Sequence, residues 1–273
     1  MAVITIAREL AALGDETAHE LAEQLGYRLV DKRSLEAGMK NLGVEESKIS
    51  RYDEKKPSFL ASLSQDKDDY LHYLKTVIYT EAGQGNCIFI GRGCAAIMRG
   101  FPGVVSVFLA APSEVRLERV KSYFHCDDKR AKQILDQSDR NREGFYHYFF
   151  DTAWRTPENY HLTLNTGFLA PELCAGIIKN LRGLLVNGED ESSLALIIKD
   201  RILGQQIIQH ILFEKNIPVH FLEASVTAGE VVLYGVANSQ SLIECAIAGA
   251  KEVPAVSSVH SEIQIVQEYS LAP

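Results

Sequence analysis

Through the first 186 residues, short β-branched or apolar runs alternate with helical segments, and this alternation constrains the fold more than any other feature of the chain. VITIA (3–7), YRLVD (27–31), CIFI (87–90), VVSVFLA (104–110) and HLTLNT (161–166) read as strands. Between the first two, Ala18, Leu21, Ala22 and Leu25 recur at helical spacing, and Gly26 stands where a helix-ending glycine belongs. Helical segments follow to about residue 53, and again over 70–82. Pro112-Ser113-Glu114 predicts a helix opened by N-cap chemistry, 127–151 a charged helix and 170–186 a closing one. Such alternation implies an α/β fold with a parallel sheet and helices on both faces. Ligands of such sheets bind beyond the carboxyl ends of the strands. The candidates for chemistry are therefore Arg8 to Asp15, Asp31 to Arg33, and Gly91 to Gly93.

The pattern changes after residue 187. NGEDESS (187–193) is polar and acidic between apolar helices and reads as a linker. An amphipathic helix (194–215) follows, then strands 218–227 and 230–237 meeting at Ala228-Gly229-Glu230, a helix (239–252) and an alternating strand (257–267). The expected organisation is a domain over 1–187, a linker over 188–193 and a small αββαβ domain over 194–273. The proline-containing polar stretch 54–69 reads as an exposed connection.

With 273 residues and 46% hydrophobic content, two packed domains are within reach. A net charge of −8 argues against non-specific binding to nucleic acid. The five scattered cysteines include no CxxC pair, which points to reduced thiols and a cytoplasmic location. His125-Cys126-Asp127 lacks a second pair at zinc spacing, so no metal site is expected. The N-terminus lacks the basic and apolar regions of a signal peptide, and no apolar run approaches the ~18 residues of a membrane span.

Strand, loop and helix at residues 3–25 have the layout of a phosphate-binding loop, in which glycines let backbone N–H groups wrap an anion at a helix N-terminus. The usual signature is GxxxxGK[ST]. Here the loop runs Arg8-Glu9-Leu10-Ala11-Ala12-Leu13-Gly14-Asp15-Glu16-Thr17, so Gly14 remains and Asp15 takes the lysine position. A carboxylate ~6 Å from a phosphate charge costs roughly 3 kcal/mol at an effective dielectric of ~20. Arg8 offsets part of that, since a guanidinium grips phosphate in a fork. The alternative reading is that Asp15 caps the helix.

Four stretches, ITIAREL...LGDETAHELAEQLGYRLVD, IFIGRGCAAIMRGFPGVVSVFLAAPSEVRLERV, SDRNREGFYHYFFDTAW and PENYHLTLNT, stand in the order found in the cytidylate kinase-like family of P-loop nucleoside monophosphate kinases, which residues 2–186 resemble. The resemblance implies ATP and phosphate binding at Arg8, Gly14, Asp15, Glu16 and Thr17, with Mg²⁺. It implies an acceptor nucleotide site at Asp31, Gly91, Arg92 and Gly93, where Arg92 holds the monophosphate, and a lid element at Asp139, Arg140 and Arg142 whose arginines meet the phosphates in transit. Three departures stand out. The loop lacks its lysine and two glycines, Gly93 replaces the usual aspartate, and Lys32-Arg33 replaces a small Ser-Gly pair. Arg116 and Arg119, spaced with Glu114 and Glu118, read as a solvated helix face, and the run Phe145-Tyr146-Tyr148-Phe149-Phe150 as helix packing.

Beyond the linker, Gly229-x-Val231-x-Leu233-x-Gly235-Val236, with Ala246, Ala250 and the closing Val253, Val256, Val259, Ile263 and Ile265, resembles the BON domain. That resemblance implies binding of partner domains, small ligands or phospholipid, and self-association or a partner protein is the preferred expectation. Lys199, Arg201, Lys215 and Lys251 are few and mixed with acids, so membrane contact is weakly supported. Three functions remain open on sequence: ATP-dependent phosphorylation of CMP or dCMP, a catalytically degenerate kinase acting as a nucleotide sensor or scaffold, and BON-mediated lipid or partner binding.

Overall fold

The computed structural model describes residues 1–52 and 66–266, which fall into two compact units divided between Leu194 and Ala195. In the first unit the elements run β1 (Val3–Arg8), α1 (Gly14–Leu25), β2 (Arg28–Val30), α2 (Lys32–Asn41), α3 (Glu46–Arg51), α4 (Asp66–Gly83), β3 (Cys87–Ile90) and α5 (Cys94–Ile97). They continue with β4 (Val104–Ala110), α6 (Ser113–Phe124), α7 (Asp128–Phe150), β5 (Leu162–Asn165), α8 (Pro171–Leu185) and α9 (Gly188–Gln209). The strands form one parallel sheet in the order β2-β3-β1-β4-β5. Most of the expected 54–69 connection lies outside the described residues, and 66–69 open α4.

The period-2 alternation of strand side chains sorts the core into two layers. Ile4 and Ile6 of β1, Ile88 and Ile90 of β3, and Val105 and Val107 of β4 pack with Ala18 and Leu21 of α1 and Cys174 and Ile178 of α8. On the other parity Cys87, Phe89 and Phe108 are buried, and Phe108 meets the Trp154 and Tyr160 rings at centroid distances of 5.3 and 5.1 Å. Burial on both faces explains why these strands read as continuous apolar runs.

Two local expectations are revised. At Pro112-Ser113 no side chain caps α6, because Pro112 itself occupies the cap position. The segment read as a linker, 188–193, is helical and opens α9. Asn187 Oδ1 accepts hydrogen bonds from the Glu189 and Asp190 amides at 2.8 and 3.0 Å, and the Asp190 carboxylate accepts from the Asn187 amide at 3.0 Å. An acidic run next to an Asx residue is a helix start as readily as a linker.

The second unit contains the rest of α9, a one-turn π-helical segment (His210–Glu214), β6 (His220–Thr227), β7 (Glu230–Ala237), α10 (Gln240–Glu252) and β8 (Ser258–Ile265). β6 and β7 pair antiparallel and β7 and β8 parallel, in the order β6-β7-β8. Leu203, Ile207 and Ile211 pack with Leu222, Leu233, Ile243, Ala246 and Ile263 to form its core. Among the described residues, no helix is long and apolar enough to cross a membrane.

Candidate functional site

Because the sheet is parallel, the residues that follow its strands lie along one edge. β1 ends at Arg8, and the chain turns through Ala11 and Leu13, at φ 60° and 52°, into α1. Asp15 does not cap α1. The cap position belongs to Leu13, without a side-chain bond, while Asp15 and Glu16 stand exposed in the first turn. The Asp15 carboxylate lies 3.4 Å from Arg8 Nε. A Cβ on Gly14 would fall on Arg8 Cγ, so the surviving glycine lets the Arg8 side chain lie across the loop. Thr17 is buried and its hydroxyl donates to the Leu13 carbonyl at 2.7 Å, while Glu16 accepts from the Tyr123 hydroxyl at 2.6 Å.

The loop is braced by arginines that the sequence placed on a solvated face. Arg116, only 5% exposed, donates from Nε to the Leu10 carbonyl at 2.8 Å and grips Asp139 with both terminal nitrogens, at 3.1 and 2.7 Å. It also lies 3.2 Å from the buried Glu9 carboxylate. Arg155 bridges the same two acids, at 2.8 Å from Glu9 and 2.6 Å from Asp139. Glu9 is satisfied further by the Ala111 amide at 3.1 Å. Arg119 donates to the Ala11 carbonyl at 2.9 Å and to the Thr166 carbonyl at 2.7 Å. Two guanidinium groups from α6 thus hold successive loop carbonyls, and Asp139 ties α7 to the loop. The reason the solvated-face reading failed is that Glu9 needs a buried counter-charge, which α6 provides.

Between the carboxyl ends of β1 and β2 and one face of α7 lies a cavity of about 450 Å³. Its α7 lining includes Arg130, Ile134, Ser138 and Arg142, all at helical spacing, and Arg8 and Lys32 close the other side. Among the described residues, four cationic side chains and no carboxylate line it. Arg142 also donates to the Ser138 hydroxyl and stacks 5.9 Å from the Trp154 ring centre. Of the predicted residues, the structure brings Arg8, Lys32 and Arg142 together here, and adds Arg130. Periodicity back along α7 from Arg142 could have found Arg130. Arg140 is exposed and donates to Gln137 at 3.2 Å.

The other predicted residues are engaged elsewhere. Asp31 caps α2, accepting from the Ser34 amide and hydroxyl, each at 2.9 Å. Partial burial pushes its carboxyl up, but these bonds outweigh burial and hold it below the usual carboxylate range. Arg92 is fully buried at φ 52°, bonded to Glu36 and, at 3.2 Å, to the Tyr70 hydroxyl, and it does not line the cavity. The Gly91 amide donates to the Ile6 carbonyl at 3.0 Å. At Gly93, φ is 71° and a Cβ would fall on the Phe150 ring, so the aspartate expected of the resemblance has no room. Phe145, Phe149 and Phe150 fill that region as packing, joined by Tyr52 and Tyr70. His125 ends α6 and Asp127 caps α7, so both serve helix termini.

The cytidylate kinase-like family model matches residues 3–167, and the BON domain model matches residues 199–267. The chain belongs to the cytidylate kinase-like family. It carries a BON domain after that kinase-like unit. Among curated proteins none matches the chain. Among solved structures, an uncharacterized protein from Eubacterium ventriosum shares the kinase-like fold. Its TM-score is 0.53 and its identity 18%, over 67% of this chain and 99% of that one. Shikimate kinase from Acinetobacter baumannii gives 0.39 and 17% over 66% and 92%, and a sugar kinase from Janibacter sp. HTCC2649 gives 0.41 and 14% over 68% and 99%.

A kinase-like fold raises the question of a nucleotide and a magnesium ion. The cavity suits a phosphate chain: four cations line a space within the usual size of small-molecule sites. The donor set does not suit a metal held by the protein. Among the described residues, Glu9 and Asp139 are engaged by Arg116 and Arg155, Asp15 stands by Arg8, and no carboxylate lines the cavity.

Proposed function

We propose that the cytidylate kinase-like unit binds a nucleotide through its phosphates without transferring a phosphoryl group, and acts as a nucleotide-responsive module whose output passes to the BON domain. The observation that carries this reading is the cavity lined by Arg8, Lys32, Arg130 and Arg142 beside a loop whose lysine position holds Asp15. Phosphoryl transfer needs charge neutralisation concentrated on the transferring group, together with a metal. Here the loop's own charge is a carboxylate, the nearby acids are committed to arginines, and Arg92 is spent on Glu36. Binding needs only a positive, nucleotide-sized space. The BON domain supplies a surface for a second copy or a partner protein.

The test pairs thermal stabilisation with a coupled kinase assay across ATP and the nucleoside monophosphates, CMP and dCMP included. Ligand at a hundredfold its dissociation constant stabilises the folded state by about 2.7 kcal/mol. The expected result is a higher melting temperature with at least one nucleotide and no turnover. No shift with any nucleotide overturns the reading.

A second reading, ATP-dependent phosphorylation of CMP or dCMP with Mg²⁺, draws support from Arg142 lying in the same cavity as Arg8, where a lid cation meets a transferring phosphate. Turnover abolished by Arg142→Ala would select it.

A further inference from the structure

Resting on the nucleotide-binding reading, we infer that Lys32, at the β2–α2 junction, supplies the phosphate-binding ammonium that the loop lacks, and that the ligand is gripped by its phosphate chain. Three observations converge. The loop's lysine position holds a carboxylate, and Gly14 has given its space to the Arg8 side chain. Lys32 lines the cavity directly across from α7, at the first position of α2, where Asp31 fixes the helix start by capping it. Glu36, one turn along, stands 3.8 Å from the Lys32 ammonium while the same carboxylate oxygen bonds the buried Arg92. Glu36 is thus shared with Arg92, and Lys32, about half exposed where it lines the cavity, has a flexible stem that can follow an anion.

The chemistry defines the ligand class. Arg130 and Arg142 lie twelve residues apart on α7, about 18 Å at the helical rise, with Arg8 and Lys32 facing them. All four cations line the one cavity, so a di- or triphosphate, with more charge and more oxygens than a monophosphate, pairs with more of them. The site therefore favours nucleoside triphosphate over monophosphate, and inorganic triphosphate occupies it as well.

Calorimetric titration of the full chain with ATP, CMP and inorganic triphosphate tests the assignment, using Lys32→Ala, Lys32→Arg and, as a charge control on the same helix, Lys40→Ala. Lys32→Ala weakens ATP and inorganic triphosphate about tenfold or more, the share of one charged hydrogen bond. Lys32→Arg stays within about threefold of wild type, and Lys40→Ala leaves affinity unchanged. If wild type binds ATP and Lys32→Ala binds it equally well, the inference falls and nucleotide binding stands. If inorganic triphosphate binds in a Lys32-dependent way but no nucleotide does, the inference stands and the nucleotide reading falls. Absence of binding by every ligand overturns both.

Discussion

Glu9 is the residue on which the loop geometry turns. A carboxylate buried at the end of a central strand is tolerated only with counter-charges and donors around it, and Arg116, Arg155 and the Ala111 amide provide them. Truncating one partner of such a network leaves the others uncompensated, so Arg116→Met costs about 3 kcal/mol or more in urea denaturation. A cost under about 1 kcal/mol would mean that Glu9 and Asp139 do not depend on it. On the proposed reading Asp15 acts in the opposite sense, as a charge set against a bound phosphate. Replacing it with lysine removes a repulsion of roughly 3 kcal/mol and adds an attraction, so Asp15→Lys tightens ATP by about tenfold or more in calorimetry. Unchanged affinity would show that the phosphates bind away from the loop.

At the scale of elements, legibility followed burial. β1, β3 and β4 were readable as apolar runs because both faces of a parallel sheet are covered. α7 was readable from Asp127 and its charge pattern, but the two faces it presents, one aromatic and packed and one lining the cavity, emerge only when the sheet edge is placed beside it. The start of α9 was hidden because Asn187 and Asp190 cap each other, a geometry that composition does not distinguish from a linker. Of the site, Arg8 and Arg142 were legible through the resemblance. Lys32 was legible only as one of the residues that follow a strand, and Arg130 and Arg155 were not, since each gains its role from a partner distant in sequence. In the BON domain, the π-helical turn sets His210 between Glu214, at 2.6 Å, and Glu252 of α10, at 3.2 Å, with Lys215 on Glu252 at 2.6 Å. The hydrogen bond to Glu214, opposed in part by burial and aided by Glu252, raises the His210 pKa above its ordinary 6.5. The stabilisation is fully present below about pH 6.5 and is lost as pH rises through the raised value. Melting temperature of wild type should fall relative to His210→Asn across that window, and the imidazole should titrate above 6.5 by NMR. A midpoint at or below 6.5 contradicts this.

At the scale of the whole molecule, a kinase-like fold carries a cationic cleft at its strand ends beside a loop that presents Asp15, with Glu9 and Asp139 tied up by arginines. Fold and reaction are separable, because the sheet and its helices depend on apolar periodicity and transfer depends on a few charges in the right places. The most direct measurement is a phosphorus NMR spectrum of the full chain mixed with ATP, CMP and magnesium. It reports binding through broadened or shifted ATP resonances and turnover through new diphosphate resonances. The expected spectrum has perturbed ATP signals and no ADP or CDP after prolonged incubation. Growth of CDP at the expense of ATP, or ATP signals identical to those of free nucleotide, would contradict it.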